Sequence, residues 1–406
     1  MLLDDFQLEC IHPLTYFRIA QLQSSALFPS LRHLRYNMSA VASIPPIFLF
    51  QSPLLDSLEL FNIASGSGCN DTIVGSFLAT LSSQMLRRIV FDNGQMSVDF
   101  LKKSIIPLKQ IRFLELSAKV SMNDFTLWEV IGSLPFLENF TVKAINRAPH
   151  SAHAPENSDS RSGGPKYFDA LQILCVTGSF TLIEHLFGFV DSPWLTTIKI
   201  FPIVNPRHEY EEDPLTPSMT IVASKWSQSL KNLVIDSSTN SSVYYHAFPL
   251  SLTMLTDLHE MQVLLLKGLL MESDIDDDMR LLVKSWPKLR RLRLPHLDKS
   301  ISLSTLRIIA ENCPDLHFLQ IPLNASTIPP FDTSSKSLHH KLEVLSVGRF
   351  HTHYYQTSLE FQIQVARFLT LTFPYLSIEM PYNYKDVTWS GIRDLVMLCQ
   401  DVRRVQ

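Results

Sequence analysis

The chain has 406 residues, of which 46% are hydrophobic and 18% are charged, so it carries enough apolar material for a large core and is not globally disordered. Its net charge of -4 provides no basic footprint for nucleic acid. It has only 12 glycines, and because phosphate-binding loops need clustered glycines, this composition disfavours a nucleotide-dependent enzyme.

The first 27 residues form a lead-in segment that differs from a secretion signal. They place Asp4 and Asp5 where a signal peptide needs positive charge followed by an apolar run. The longest nearly unbroken apolar stretch, residues 261–271, contains Lys267 and is too short to cross a bilayer. We therefore expect a soluble cytoplasmic or nuclear protein that does not contact a membrane.

Residues 28–406 repeat one pattern, in which apolar residues stand at relative positions 1, 4 and 6, as Leu289, Leu292 and Leu294 do. Thirteen such units follow one another at intervals of 24 to 35 residues. Their first positions are Leu31, Leu55, Leu86, Ile111, Leu137, Leu171, Leu195, Leu230, Met261, Leu289, Leu316, Leu342 and Phe373. Self-similarity at this period indicates a repeat architecture.

Positions 4 and 6 have the period-2 spacing of a short strand with one buried face. If the units stack in order, their position-4 residues form one row on neighbouring parallel strands. This predicts such a row for Leu58, Ile89, Leu114, Phe140 and Leu174. It also predicts that Leu292 and Leu319, from adjacent units, are fully buried.

The segments between the strands place apolar residues at the three- and four-residue spacing of a helix, and several open with Ser or Asp, which suit N-caps. They include residues 71–83, 121–133, 272–285, 301–313 and 358–373. Strand, turn, helix and turn at this period is the leucine-rich repeat. The predicted fold is an α/β leucine-rich-repeat solenoid, a horseshoe of about 13 irregular repeats with a concave parallel sheet and convex helices.

The repeats depart from the usual pattern at position 9, where an Asn or Cys is expected. Ser39, Ile63, Gly94 and Lys119 occupy this position in four units, and Asn324 alone fits. We therefore expect an irregular pitch. Longer intervals predict three loop insertions, at 146–166, 204–217 and 324–338. The first has no apolar anchor and is expected to be dispensable for folding.

The last residues, CQDVRRV at 399–405, resemble the beginning of a further unit. Val402 and Val405 would stand at its positions 1 and 4. A fourteenth strand is therefore predicted near the end of the sequence, without a polar cap after it.

Residues 12–36, HPLTYFRIAQLQSSALFPSLRHLRY, together with the units opened by CPDL, WPKL and FPSL, resemble the fungal F-box/leucine-rich-repeat family. The resemblance implies repeats that capture a target for ubiquitination, and an F-box that binds the ligase adaptor. The residues before Leu31 contain no opening of the Leu-Pro-x-Glu-Ile type. We therefore carry over no adaptor-binding residue and expect that this chain does not bind the adaptor by itself. A lost F-box, a truncated product and a longer protein all remain open.

No sequence motif indicates catalysis, a cofactor or a metal. Gly-x-Ser-x-Gly, Walker-type and His-Glu-x-x-His motifs are missing. Four histidines, His339, His340, His351 and His353, are interpreted as loop residues rather than metal ligands. The acidic run at 272–279 is interpreted as the start of a helix rather than a calcium loop, because it lacks the central glycine and closing glutamate. The five cysteines are dispersed, which favours reduced thiols. We expect a binding protein and not an enzyme.

Relative positions 3, 5 and 7 flank the buried residues and should face the concave side. In units nine to eleven these positions are Val263, Leu265, Lys267, Arg291, Arg293, Pro295, Phe318, Gln320 and Pro322. Exposed apolar groups beside two arginines predict a site for a protein partner on a monomer. The alternative is that bulky residues only cover the sheet. Two functions stay open: target recognition for a ubiquitin ligase, or an adaptor or inhibitor unrelated to ubiquitin.

Overall fold

The structure is a computed structural model. The residues it describes are 15, 18, 19, 22, 26–38, 46–63, 68–81, 85–94, 98–118, 125–144, 167–203, 215–237, 248–249, 252–270, 275–295, 299–330, 340–347, 358–380 and 387–405. The chain divides into two compact units, Met1–Leu195 and Thr196–Gln406, and each is described by itself.

The sheet of the first unit contains six parallel strands that pair in chain order. They are β1 (His33–Asn37), β2 (Ser57–Phe61), β3 (Arg88–Gly94), β4 (Phe113–Ala118), β5 (Asn139–Ala144) and β6 (Ile173–Gly178). The register aligns the position-4 residues of successive strands. Leu58, Ile89, Leu114, Phe140 and Leu174 lie opposite one another, which confirms the predicted row.

Helices follow most of these strands and pack against one another as a layer, α1 on α2 and α2 on α3. They are α1 (Gly68–Leu81), α2 (Val98–Ile105), α3 (Phe125–Gly132) and α4 (Phe180–Phe189), with a 3-10 helix at Pro46–Phe50. The indole of Trp128 on α3 meets the ring of Phe140 on β5 edge-on, with centroids 6.2 Å apart. This contact joins the helix layer to the buried side of the sheet.

The sheet of the second unit contains seven parallel strands that also pair in chain order. They are β7 (Thr197–Pro202), β8 (Asn232–Asp236), β9 (Val263–Lys267), β10 (Arg291–Arg293), β11 (Phe318–Ile321), β12 (Val344–Val347) and β13 (Ser377–Glu379). Leu292 and Leu319 lie opposite each other and are both fully buried, as predicted.

The second unit has five helices within the described residues, with a 3-10 helix at Leu252–Asp257. They are α5 (Thr216–Trp226), α6 (Ile275–Ser285), α7 (Leu303–Asn312), α8 (Leu359–Thr372) and α9 (Val387–Val405). Ser302 and Ser358 cap α7 and α8, because their hydroxyl oxygens accept hydrogen bonds from the N–H groups of Thr305 and Phe361. Five helices were predicted from the spacing, two in the first unit and three in the second. All five are present, with ends that differ from the prediction by a few residues.

A short turn joins each helix to the next strand and explains the apolar residue at position 1. The N–H of Leu289 donates to the carbonyl of Trp286, and the N–H of Leu316 donates to that of Cys313. The turn buries the leucine beneath the helix end, and the strand begins two residues later. Thirteen parallel strands, most of them followed by a helix among the described residues, make the chain an α/β leucine-rich-repeat solenoid.

The register predicted for the thirteenth unit is wrong by two residues. Phe373 was expected at position 1 and Ile378 at position 6, but Ile378 lies opposite Leu345, a position-4 residue. The N–H of Leu376 closes the turn by donating to the carbonyl of Phe373, as Leu316 does to Cys313. Phe373 therefore ends the helix rather than starting the repeat.

The predicted fourteenth strand is also wrong. Residues 387–405 form one continuous helix, α9, which includes both Val402 and Val405. This helix buries Trp389, Ile392 and Val396 and packs against α8. These buried residues follow one another at the three- and four-residue spacing of a helix, but Val402 and Val405 at its end also match positions 1 and 4 of a repeat.

Two of the predicted insertions overlap described residues, and 146–166 lies outside them. Helix α5 begins at Thr216, so the end of the insertion predicted at 204–217 is helical. At the start of the one predicted at 324–338, Leu323–Asn324 pairs with Ile301–Ser302 as two short parallel strands. The side-chain oxygen of Asn324 accepts from the N–H of Ser326. In the second repeat, Ile63 takes the position of the missing Asn and is buried.

Candidate protein-binding surface

In each sheet, the residues at positions 3, 5 and 7 of the repeats lie on the side opposite the buried residues at positions 4 and 6. We call this side the open face. On the open face of the first unit, charged side chains neutralise each other across strands. Glu59 lies 3.8 Å from Arg35 and 3.2 Å from Arg88. The guanidinium carbons of these arginines stand 4.3 Å and 4.0 Å from the ring centroids of two further open-face residues, Phe61 and Phe113.

A second cross-strand pair joins Glu115 to Lys143, with 2.5 Å between the carboxylate oxygen and the ammonium nitrogen. Burial alone would lower the pKa of Lys143. The hydrogen bond from the ammonium group to Glu115 and the charges of Glu115 and Asp92 outweigh that effect and raise it. The cations of this face are thus held by acidic neighbours of the same face.

A cavity of about 570 Å³ lies where β1, β2 and β3 begin. Its wall combines both charge signs, because Arg35, Arg87 and Arg88 face Glu59 and Asp56. The imidazole of His33 lies 3.3 Å from the Asp56 carboxylate. This mixed wall does not define one class of ligand.

The open face of the second unit contains the predicted site residues on three adjacent strands, β9 to β11. The register places Val263, Arg291 and Phe318 in one row. It places Leu265, Arg293 and Gln320 in the next row. Arg291 and Arg293 are exposed and the apolar members are half-buried. We call these six residues the basic-apolar patch.

The two arginines of the patch have different partners. The Nε–H of Arg293 donates to the side-chain oxygen of Gln320 at 2.8 Å, and its guanidinium carbon lies 5.5 Å from the centroid of the Phe318 ring. The side chain of Arg291 has no hydrogen bond or ion pair to any residue that the structure describes, whereas its backbone N–H donates to the carbonyl of Gln262. Neither arginine has a carboxylate partner among those residues.

Three other residues that were predicted together with the site are not part of the basic-apolar patch. Lys267 is paired with Asp236, at 3.5 Å. Pro295 is half-buried, and Pro322 is buried, so the prediction that Pro322 is exposed is wrong. The carbonyl of Pro322 accepts the N–H of Ile301, the first residue of the short strand that pairs with Leu323–Asn324. Sequence reasoning missed Val344, which extends the first row on β12 and could have been found by the same position-3 rule.

His340, one of the four histidines weighed as a metal ligand, lies in a connecting segment as expected, but its side chain is buried in the core. Its Nδ1 accepts the N–H of Leu342 at 3.0 Å, so Nε2 carries the proton and donates to the carbonyl of Cys313 at 2.7 Å. Burial lowers the pKa of His340 despite the latter bond, and burial raises the pKa of the Cys313 thiol to about 12. His339, His351 and His353 lie outside the described residues.

The acidic run at 272–279 is described from Ile275 onward, where it forms the first turn of α6. Asp276 accepts the N–H of Ser302 at 2.9 Å, and Asp277 pairs with Arg280 at 3.2 Å. Acidic groups at this end also complement the helix dipole. Over the described ranges, no three His, Cys, Asp or Glu side chains converge as a metal site would require.

This geometry defines a repeat protein in which the open-face arginines and lysine of the first unit are paired with carboxylates, whereas Arg291 and Arg293 of the second unit have no carboxylate partner among the described residues. No family model matches the chain, and no curated protein matches it. Within the part of the chain that the structure describes, no helix has both the length and the apolarity needed to span a bilayer.

Several solved structures are similar at low identity. A protein from Bacteroides fragilis is 13% identical with a TM-score of 0.34, over 69% of this chain and 68% of that chain. A chain of the yeast Rad7–Elc1 complex is 14% identical with a TM-score of 0.30, over 79% and 76%. A chain of the plant peptide hormone receptor RGFR1 complex with RGF2 is 12% identical with a TM-score of 0.32, over 90% and 62%. At these scores none of the likenesses bears on function.

Proposed function

We propose that this chain is a protein-binding scaffold, not an enzyme, and that it captures a protein partner on the basic-apolar patch. One observation carries the proposal: the register brings two exposed arginines between half-buried Leu265 and Phe318 on adjacent strands. Arginine and aromatic residues are enriched among the residues that dominate binding energy at interfaces.

The partner is further proposed to be a target for ubiquitination. This step is supported by the resemblance of residues 12–36, and of the units opened by CPDL, WPKL and FPSL, to the F-box/leucine-rich-repeat family. A cytoplasmic or nuclear location belongs to the same proposal and is supported by Cys313 and Cys399, which form no disulfide bond with a described residue.

Site-specific photo-crosslinking tests where the partner binds. A photo-reactive amino acid is placed at Gln320 in the patch or, as a control, at Leu281, an exposed residue of α6. We expect a crosslinked partner from Gln320 only. Adding Arg291→Glu with Arg293→Glu should abolish the crosslink without lowering the melting temperature. Crosslinks of equal yield from Leu281, or no effect of the arginine changes, would place the partner elsewhere.

The ubiquitin step is tested with the partner that the crosslink identifies. Its half-life is measured in cells that express the wild-type chain or the double arginine variant. We expect at least a twofold shorter half-life with the wild type. A partner that is captured but equally stable in both would indicate an adaptor or inhibitor instead.

A further inference from the structure

We propose that the basic-apolar patch recognises an acidic protein segment, one that carries carboxylates on alternate residues beside apolar side chains. This inference rests on the proposed function and specifies the chemistry of the partner. It is argued from the charge balance, the spacing and the surroundings of Arg291 and Arg293.

Among the described open-face residues, Arg291 and Arg293 form a pair of neighbouring cations without a carboxylate partner. Lys199 on β7 also lacks one among those residues, but its partner across β8 is Val234 rather than a second cation. Elsewhere on those faces Arg35 and Arg88 share Glu59, Lys143 pairs with Glu115, and Lys267 pairs with Asp236. At the turns beside the patch, Lys288 pairs with Glu260 at 2.6 Å, and Lys341 pairs with Asp315 at 2.8 Å. Among the residues described, Arg291 and Arg293 have no such carboxylate, so the patch is complementary to a negative partner.

The spacing of the two arginines fits an extended acidic segment. They are separated by one residue on β10, so their backbones lie ~6.6–6.8 Å apart along the strand. An extended partner segment repeats its same-face side chains at the same distance. Two carboxylates on alternate residues could therefore each meet one guanidinium group, an arrangement favoured by charge-assisted hydrogen bonds.

The groups around the arginines indicate what else the partner segment must contain besides carboxylates. Arg293 is held by Gln320 and by the face of Phe318, so its guanidinium is oriented before a partner arrives. Val263 and Leu265 flank one side of β10, and Phe318 flanks the other. Apolar side chains adjacent to the carboxylates would cover these surfaces and exclude water from the ion pairs.

The experiment uses a labelled peptide, GSLSESESLSGS, whose Leu and Glu residues share one face when the peptide is extended. Three counterparts replace both Glu by Gln, both Glu by Lys, or both Leu by Ser. Fluorescence anisotropy is measured with the wild-type chain and with the variant Arg291→Glu/Arg293→Glu. A control, Lys225→Glu/Lys284→Glu, makes the same charge change at exposed lysines of α5 and α6.

We expect the Glu peptide to bind the wild type and the lysine control about tenfold more tightly than the Gln or Ser counterparts. The preference should weaken in high salt. The arginine variant should prefer the Lys peptide instead. Equal binding of the Glu and Gln peptides, or a Glu preference that survives in the arginine variant, would overturn the inference. If crosslinking at Gln320 still depends on the arginines, the proposed function stands and only the acidic chemistry fails.

Discussion

The neutral imidazole of His340 is fixed between two backbone groups, which makes this residue part of the core. Its position between a helix end and a strand was not predictable from the sequence, where it stands in a run of polar residues. The leucines of the same repeat were predictable, because their burial follows from spacing alone. A residue whose role depends on one hydrogen-bond partner in another repeat, here Cys313, leaves no periodic signal.

His340 should make stability depend on pH in the weakly acidic range. Its pKa in the folded chain is below the ordinary value of 6.5. The unfolded chain therefore takes up the proton first, so the stabilising contribution is complete above pH 6.5 and is lost as pH falls toward the folded pKa. The loss is at most ~1.4 kcal/mol per pH unit, because one proton is involved.

Urea unfolding of the wild type and of His340→Gln at several pH values between 7.5 and 5 measures this effect. The glutamine variant should lose less stability over that range. His259→Gln, at an exposed histidine of the same unit, is the control for the loss of an imidazole. Parallel slopes for the wild type and His340→Gln would show that His340 does not titrate as described.

Leu319 tests the energetic importance of the buried row. It is fully buried opposite Leu292 and Leu345, so Leu319→Ala should cost ~2–5 kcal/mol of unfolding free energy. Leu281→Ala removes the same atoms from a half-exposed helical site and should change stability by less than ~0.5 kcal/mol. Equal midpoints of denaturant unfolding for the two variants would refute this assignment of the core.

At the scale of elements, the sequence was most informative in the middle of the repeats and least informative at their ends. The turn leucine was identified correctly in units opened by CPDL and WPKL. In FPYL the correct leucine is Leu376, but Phe373, three residues earlier, also matched position 1 of the repeat. Strand β13 follows its turn one residue sooner than the others, so no fixed spacing could recover its register. Pro322 is buried where it directly precedes the short strand Leu323–Asn324, and its carbonyl accepts the N–H of Ile301 from the paired strand.

Helix α9 can be distinguished from the predicted fourteenth strand by a proline substitution. Leu398 is exposed near the middle of the helix. Two residues after it anchor the end of the helix: Gln400 donates to the carbonyl of Leu376 and Arg403 to that of Thr370. Leu398→Pro should destabilise the chain by ~3 kcal/mol, because proline removes a helical hydrogen bond. Leu398→Ala, which preserves the helix, should be nearly neutral in thermal unfolding. A proline variant as stable as the alanine variant would argue against a continuous helix.

At the scale of the whole molecule, the two units use one repeat to build open faces whose charges are balanced to different extents. On the first face, arginine and lysine side chains form ion pairs with glutamates of neighbouring strands. On the second face, Arg291 and Arg293 have no carboxylate partner among the described residues. Periodicity predicted the location of both faces. It could not predict which charges are neutralised, because the pairs join residues about 25 to 30 positions apart whose alignment depends on exact strand register.

The repeat architecture also predicts how far the destabilisation caused by one core substitution extends along the chain. Each repeat contacts mainly its neighbours, so a core deletion should destabilise nearby repeats more than remote ones. Leu58→Ala should reduce hydrogen-exchange protection mainly in β1–β4, and Leu319→Ala mainly in β10–β12. Each variant is the control for the other, because both remove the same atoms from fully buried position-4 sites. Equal loss of protection in both regions for either variant would mean that all thirteen repeats unfold as one cooperative block, with long-range coupling stronger than the coupling between neighbours.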